Sequence, residues 1–257
     1  MKKTILTLLV GLLAMGCTEM NDRPGDPHAV APTDTVRAST DTYWVSYRGA
    51  LRTVMHQGDL TPHVHLDTLA HLSGLYAVGP LEGMVGEVTI YDGEPSIATV
   101  QNGEPRVSTS FDARALFLVY GAAEGWTSLR IDEHLEDLAS LEQFISEAAE
   151  EVGLSTDAPF PFRLEGTAAS LTYHILDHAE GEPIDHARHQ DAKIIFEVSD
   201  RASRMVGFWG PEEAQGIYVH RDEHIHIHAM LPDDDASGHV DALTIEPGTI
   251  TLYLPVP

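Results

Sequence analysis

The run His226-Ile-His228-Ala-Met-Leu-Pro-Asp-Asp-Asp-Ala-Ser-Gly-His239 holds the residues best suited to bind a transition metal. In an extended chain, side chains two apart share a face, so His226 and His228 can aim two imidazoles at one point. Pro232 to Gly238 reads as a turn, which returns the chain so that His239 can join them. Three neutral imidazoles leave the fourth position of a tetrahedral Zn²⁺ open, the arrangement of catalytic rather than structural zinc. His224 has the same parity as the pair and becomes the ligand if the register slips. The same residues could instead form a solvated, histidine-rich edge strand. His63-x-His65 follows Pro62, has no third partner, and reads as a solvated loop. Asp233 to Asp235 read as turn-solvating residues, and Glu94 as a structural hairpin residue. His186 and His189 fall on a short helical turn.

These residues need a β-rich scaffold. Apolar spacing over Tyr47 to Leu60 ahead of Gly58 predicts a short helix, and Leu66 to Leu72 a second. Short strands follow from Leu75 to Val100, with Asp92-Gly93 and Asn102-Gly103 as hairpin turns. Leu116 to Tyr120 and Trp126 to Ile131 read as strands. Leu138 to Val152 carries one apolar face and stops at Gly153, which predicts an amphipathic helix. Beyond it the pattern is mostly strand: Phe160 to Leu164, Ala169 to Leu176, Ile194 to Val198, Arg204 to Trp209, Ile225 to Leu231, Leu243 to Ile245 and Thr249 to Leu254. Asp185 to Gln190 reads as a helical turn. The class is α+β, with mixed or antiparallel sheets and a few helices, and the two halves permit two β-rich subdomains.

The chain has 40 acidic and 15 Lys or Arg residues, for a net charge of −25. Such a surface repels nucleic acid and anionic lipid, and an anionic substrate would need a local positive centre. Residues 1–17 read as a signal segment, with Lys2 and Lys3 before an apolar stretch too short to span a bilayer. Ala14-Met15-Gly16-Cys17 looks like a lipobox. Cys17 is the sole cysteine of the chain, which favours lipidation over a disulfide or a catalytic thiol. Residues 18–40, rich in Pro, Asp, Thr and Ala, read as a disordered tether, and 41–257 as the folded domain. The expectation is an exported protein held to a bacterial membrane by its lipid alone.

Four stretches in order carry a resemblance: Tyr47-Arg-Gly-Ala-Leu-Arg-Thr-Val-Met-His-Gln-Gly-Asp59, Gly86-Glu87-Val-Thr-Ile-Tyr-Asp92-Gly93-Glu94, Val206-Gly207-Phe208-Trp-Gly-Pro211 through Gly216-Ile217, and the histidine run ending Gly238-His239-Val240. From Tyr43 to Leu254 the chain resembles the α-acetolactate decarboxylases, zinc enzymes that convert 2-acetolactate to acetoin and CO₂. The resemblance implies two β-rich subdomains with the metal site between them. It implies His226, His228 and His239 as zinc ligands, favours His226 over His224, and makes Glu87 an active-site carboxylate. Without that motif, Glu87 reads equally well as a surface strand residue. The chain also departs from the family. His174 stands at an active-site Arg position, Pro80 at a Thr position, and the family's second catalytic Glu lies in a tail beyond Pro257. Arg163 matches a different family arginine. The resemblance implies a small keto-acid substrate whose carboxylate, by charge, the family's Arg would hold; His174 either takes that role as a cation or merely fills space in a protein that no longer uses a carboxylate substrate. A zinc ester hydrolase of related fold and a non-catalytic lipoprotein binding zinc or a small ligand are the alternatives.

Overall fold

The computed structural model describes residues 42–257 and the backbone of Ala38–Ser39. The expected signal segment, Cys17 and nearly all of the expected tether lie outside the described residues. In chain order the strands are β1 (Ala38–Ser39), β2 (Tyr43–Arg48), β3 (Val64–His65), β4 (Leu75–Pro80), β5 (Glu87–Tyr91), β6 (Glu94–Gln101), β7 (Glu104–Ser108), β8 (Arg114–Ala115), β9 (Leu118–Ala123), β10 (Trp126–Arg130), β11 (Phe160–Leu176), β12 (Lys193–Trp209), β13 (Ile225–Leu231), β14 (Ala236–Thr244) and β15 (Ile250–Pro255). The helices are α1 (Leu51–Gln57), α2 (Leu138–Val152) and α3 (His186–Asp191). None of the described helices is long and apolar enough to cross a membrane.

Two antiparallel sheets make the α+β fold. The first runs β1-β2-β9-β4-β5-β6-β7 and the second β10-β15-β11-β12-β13-β14, while β3 and β8 form a small separate pair. In the second sheet β14 also pairs with β11, so β11, β12, β13 and β14 close into a circuit of hydrogen-bonded neighbours. The first sheet is built from strands up to Ala123 and the second from strands from Trp126 onward, and every ladder between named strands is antiparallel.

Local sequence explains the elements that frame the site. Helix α2 opens with a capping box, in which the Ser140 N–H donates to Asp137 Oδ1 and the Asp137 N–H to Ser140 Oγ. It ends at Gly153 in the left-handed conformation, and its Leu141, Ile145, Ala148 and Ala149 face the core of the second sheet. β5 is buried on both faces, with Val88 and Ile90 packed in the first sheet's own core. Between the sheets, Val45, Tyr76 and Val119 of the first meet Val206 and Phe208 of the second. Polar side chains also cross this seam: Ser96 Oγ and Ser237 Oγ lie 2.6 Å apart, both buried.

Several elements differ from the sequence expectation. Phe160 to Leu164 and Ala169 to Leu176 are one strand, and so are Ile194 to Val198 and Arg204 to Trp209. The polar centres of these runs suggest breaks, but β11 and β12 pair through them in continuous register. Tertiary pairing overrides weak local β-propensity there. Tyr47 and Arg48 belong to β2, so the helix expected over Tyr47 to Leu60 contracts to the seven residues of α1. The helix expected at Leu66 to Leu72 is a 3₁₀ turn over Leu66–Leu69. His65 lies in β3, paired with Arg114, rather than in a loop.

Candidate metal centre

β13 and β14 carry the three histidines to one point at the seam. His228 stands opposite His239 in their ladder, and His226 lies two residues along on the same face of β13. Nε2 of His226 is 3.1 Å from Nδ1 of His239 and 3.2 Å from Nε2 of His228. Two ligands each ~2.05 Å from a tetrahedral zinc stand roughly 3.3 Å apart, so the spacing suits one shared ion. His226 and His228 are buried, and His239 keeps some exposed surface on a small cavity lined also by Glu87, His174, His189 and His220.

Burial and crowding keep these rings neutral. Desolvation, with the neighbouring imidazoles adding to it, pushes His226 down to about 3 and holds His228 and His239 well below the usual histidine range. Neutral imidazoles offer lone pairs to a cation. His228 Nδ1 lies 3.0 Å from the Thr89 hydroxyl of β5, the kind of outer contact that fixes a ligand ring's orientation. The donor set therefore fits a single zinc-like ion.

His224 is placed elsewhere. Its Nδ1–H donates to the Gly210 carbonyl (2.8 Å), its backbone N–H to Glu142 Oε2 (2.7 Å), and its ring stacks on Trp209. It precedes β13 and does not join the group of three.

Glu87 opens β5 and reaches the cluster from the opposite sheet. Its Oε2 is 3.7 Å from His228 Nε2 and its Oε1 is 3.7 Å from His174 Nε2, with the residue only 2% exposed. Desolvation raises its pKa well above the ordinary carboxylate value, and the negative charge of Asp241 adds to the rise. Lys193 and a backbone hydrogen bond at Leu176 oppose it. Glu87 is a carboxyl that tends to keep its proton.

His174 also lies at the centre, but it is already engaged. Its Nδ1 is 2.6 Å from Asp241 Oδ2, whose other oxygen accepts from Lys193 Nζ at 2.9 Å. Desolvation lowers the His174 pKa, and the Asp241 carboxylate partly offsets this. With Nδ1–H donated to Asp241, the neutral ring presents Nε2 as an acceptor toward Glu87. Its Nδ1 is therefore already taken up by Asp241 rather than free to meet a substrate carboxylate.

Pro80 pairs with Glu87 across the β4–β5 ladder and lines the same cavity. Arg163 is remote from the centre, its guanidinium over the rings of Tyr253 and Trp126 and 3.4 Å from Glu165. The residues that sequence reading missed are Thr89, Asp241, Lys193 and His220, and it left His189 without a role. Thr89 is two residues from Glu87 on β5, so strand parity alone put it on the right face, whereas Asp241 sits at a register shift where β14 pairs with β11.

A metal-competent histidine cluster and an acidic side chain set between two antiparallel sheets make this an α+β protein with an enzyme-like centre. The chain belongs to the alpha-acetolactate decarboxylase family, whose family model matches residues 46–254. A curated alpha-acetolactate decarboxylase from Bacillus licheniformis is 27% identical over 93 residues, covering 36% of this chain and 36% of that protein. The match therefore spans little more than a third of that relative. Among solved structures, the alpha-acetolactate decarboxylase of Bacillus subtilis strain 168 superposes with a TM-score of 0.64 at 17% identity, covering 81% of this chain and 84% of the other. A Staphylococcus aureus protein described as similar to alpha-acetolactate decarboxylase gives 0.64 at 16% identity, covering 81% and 83%. At these identities the structural likeness shows a shared fold.

Proposed function

We propose that the protein is a zinc-dependent decarboxylase of a small 2-hydroxy-3-keto acid, with 2-acetolactate, yielding acetoin and CO₂, as the leading substrate. Family membership supports the reaction class. The observation that carries the reading is the buried Glu87 carboxyl set against three convergent, neutral imidazoles. In this reading His226, His228 and His239 hold the ion. Bound zinc there supplies Lewis acidity toward the hydroxyl and keto oxygens of such a substrate.

The chain's own residues do the rest. Glu87, whose burial favours the protonated carboxyl, would be the group that delivers a proton to carbon once CO₂ has left. His174, held in one tautomer by Asp241, faces Glu87 with Nε2 and can exchange that proton with it. Thr89 keeps the His228 ring in place. By the sequence reading, the folded domain works outside the cytoplasm on a lipid anchor at Cys17.

The test is to incubate purified, zinc-loaded protein with 2-acetolactate and follow acetoin. Acetoin release that falls by about 10²-fold or more in Glu87→Gln is the expected result, the usual scale for a lost acid–base group. Cleavage of a chromogenic ester with no acetoin would favour a zinc hydrolase instead.

A further inference from the structure

A carboxylate ligand faces a difficulty in this molecule. The net charge is −25, and the lysine nearest the centre, Lys193, is already bound to Asp241. Arg163 is occupied by aromatic rings and Glu165. A free cation has to come from elsewhere.

In so acidic a chain, guanidinium groups readily find carboxylates. Arg114, Arg130, Arg163, Arg188, Arg201 and Arg204 each hold one within 4.0 Å. Arg52 and Arg221 hold none among the described residues, and both line the same cavity of about 480 Å³. His56 and His186 line it too, their rings 5.6 Å apart, and Asp222 is its one carboxylate. Leu51 and His220 line both this cavity and the inner one at the histidine centre, so the two adjoin. His220 in turn lies edge-on to His239.

The cavity walls are tied together. The backbone N–H groups of Leu51 and Arg52, at the start of α1, donate to the carbonyls of Ile217 and Gly216, each at 2.8 Å. Helix α1 carries Arg52, and the segment it is tied to leads on to Arg221. The two guanidinium groups are therefore borne by elements of fixed relation, and such a pair grips a carboxylate through charge-assisted, forked hydrogen bonds. A local positive field also draws anions to a surface that otherwise repels them.

We infer that this outer cavity is an anion subsite in which Arg52 and Arg221 bind the carboxylate of ligands bound for the inner centre. The identity of that ligand as a keto acid rests on the decarboxylase reading, whereas the subsite itself rests on these two unpaired arginines.

The test uses malonate as a dicarboxylate probe, titrated calorimetrically into the purified full chain at low ionic strength. The expected result is binding that weakens by about tenfold or more in the Arg52→Gln/Arg221→Gln double variant, the scale of a lost charged hydrogen bond. Binding should weaken likewise in high salt and persist in His228→Ala. No binding to the wild type, equal binding in the double variant, or binding lost only in His228→Ala would each overturn the proposal. Where acetolactate is turned over, the double variant should raise KM and leave kcat nearly unchanged. If acetolactate is not turned over while malonate binding still depends on the arginines, the subsite stands and the decarboxylase reading falls.

Discussion

At the scale of single residues, the centre joins two histidine strands and one carboxyl, and each makes a separate prediction. Metal analysis of purified protein should show about one equivalent of zinc, by the ligand count of such a site. His226→Ala, His228→Ala and His239→Ala should each lose it, and His224→Ala should keep it, because His224 is bound to Gly210 and stacked on Trp209. Zinc retained at full occupancy in a triple variant of the first three would refute the assignment. Glu87 makes a stability prediction in the metal-free protein. Its folded pKa lies well above the ordinary 4.5, so the fold binds its proton more tightly than the unfolded chain does. That contribution is complete below 4.5 and is lost as pH rises toward the folded value. Glu87→Gln should therefore stabilise the metal-free protein at pH 8 and change little at pH 4, as read from urea midpoints. An equal effect at both values would show that the carboxyl binds its proton no more tightly in the fold than in the unfolded chain.

At the scale of elements, the approach of β14 to β11 decides where His239 can sit. A Cβ on Gly238 would lie 2.5 Å from the His174 backbone oxygen and 2.8 Å from the Tyr173 ring. Backbone cannot yield cheaply, so Gly238→Ala should cost about 2–3 kcal/mol, toward the upper end for a single substitution. It should also weaken zinc retention against a chelator, because it displaces the strand that bears His239. A variant with unchanged melting and unchanged chelator resistance would mean that β14 has slack. This dependence on neighbouring backbone marks where sequence reading ran out. Periodicity located α2 and β13 to the residue, since a capped amphipathic helix and an alternating strand declare themselves locally. It split β11 and β12, whose middles are held by each other rather than by propensity. The histidine triad was legible because a strand, a turn and a strand put all three within one hairpin. Thr89 was legible in parity but had no motif to recommend it, and Asp241 falls at a register shift that parity does not foresee. Lys193 meets Asp241 from β12, and Arg52 and Arg221, 169 residues apart in sequence, line one cavity. No local pattern announces such pairs.

At the scale of the whole molecule, a set of buried imidazoles makes the fold sensitive to mild acid. His189 and His226 are pushed down to about 3, and His174, His220, His228 and His239 are also lowered, all chiefly by desolvation. A base with a depressed folded pKa stabilises the fold fully above its unfolded value, near 6.5, and loses that stabilisation as pH falls. Each such histidine weakens the metal-free fold by about 1.4 kcal/mol per pH unit within that window. Unfolding free energy should thus drop steeply from pH 7 to pH 5, before most carboxylates titrate. His189→Gln should flatten the slope by about one proton if the native state is retained, and a flat profile in the wild type would contradict the buried cluster. The closed circuit of β11, β12, β13 and β14 has a kinetic consequence as well. Each ligand-bearing strand is hydrogen-bonded on both sides, β13 to β12 and β14, and β14 to β13 and β11, so backbone pairing rather than the metal braces the socket. Zinc uptake should be a simple bimolecular capture, linear in metal concentration with no slow folding phase in stopped flow. The amides of β13 and β14 should exchange with deuterium together, in the manner of one cooperative unit, whether or not the ion is there.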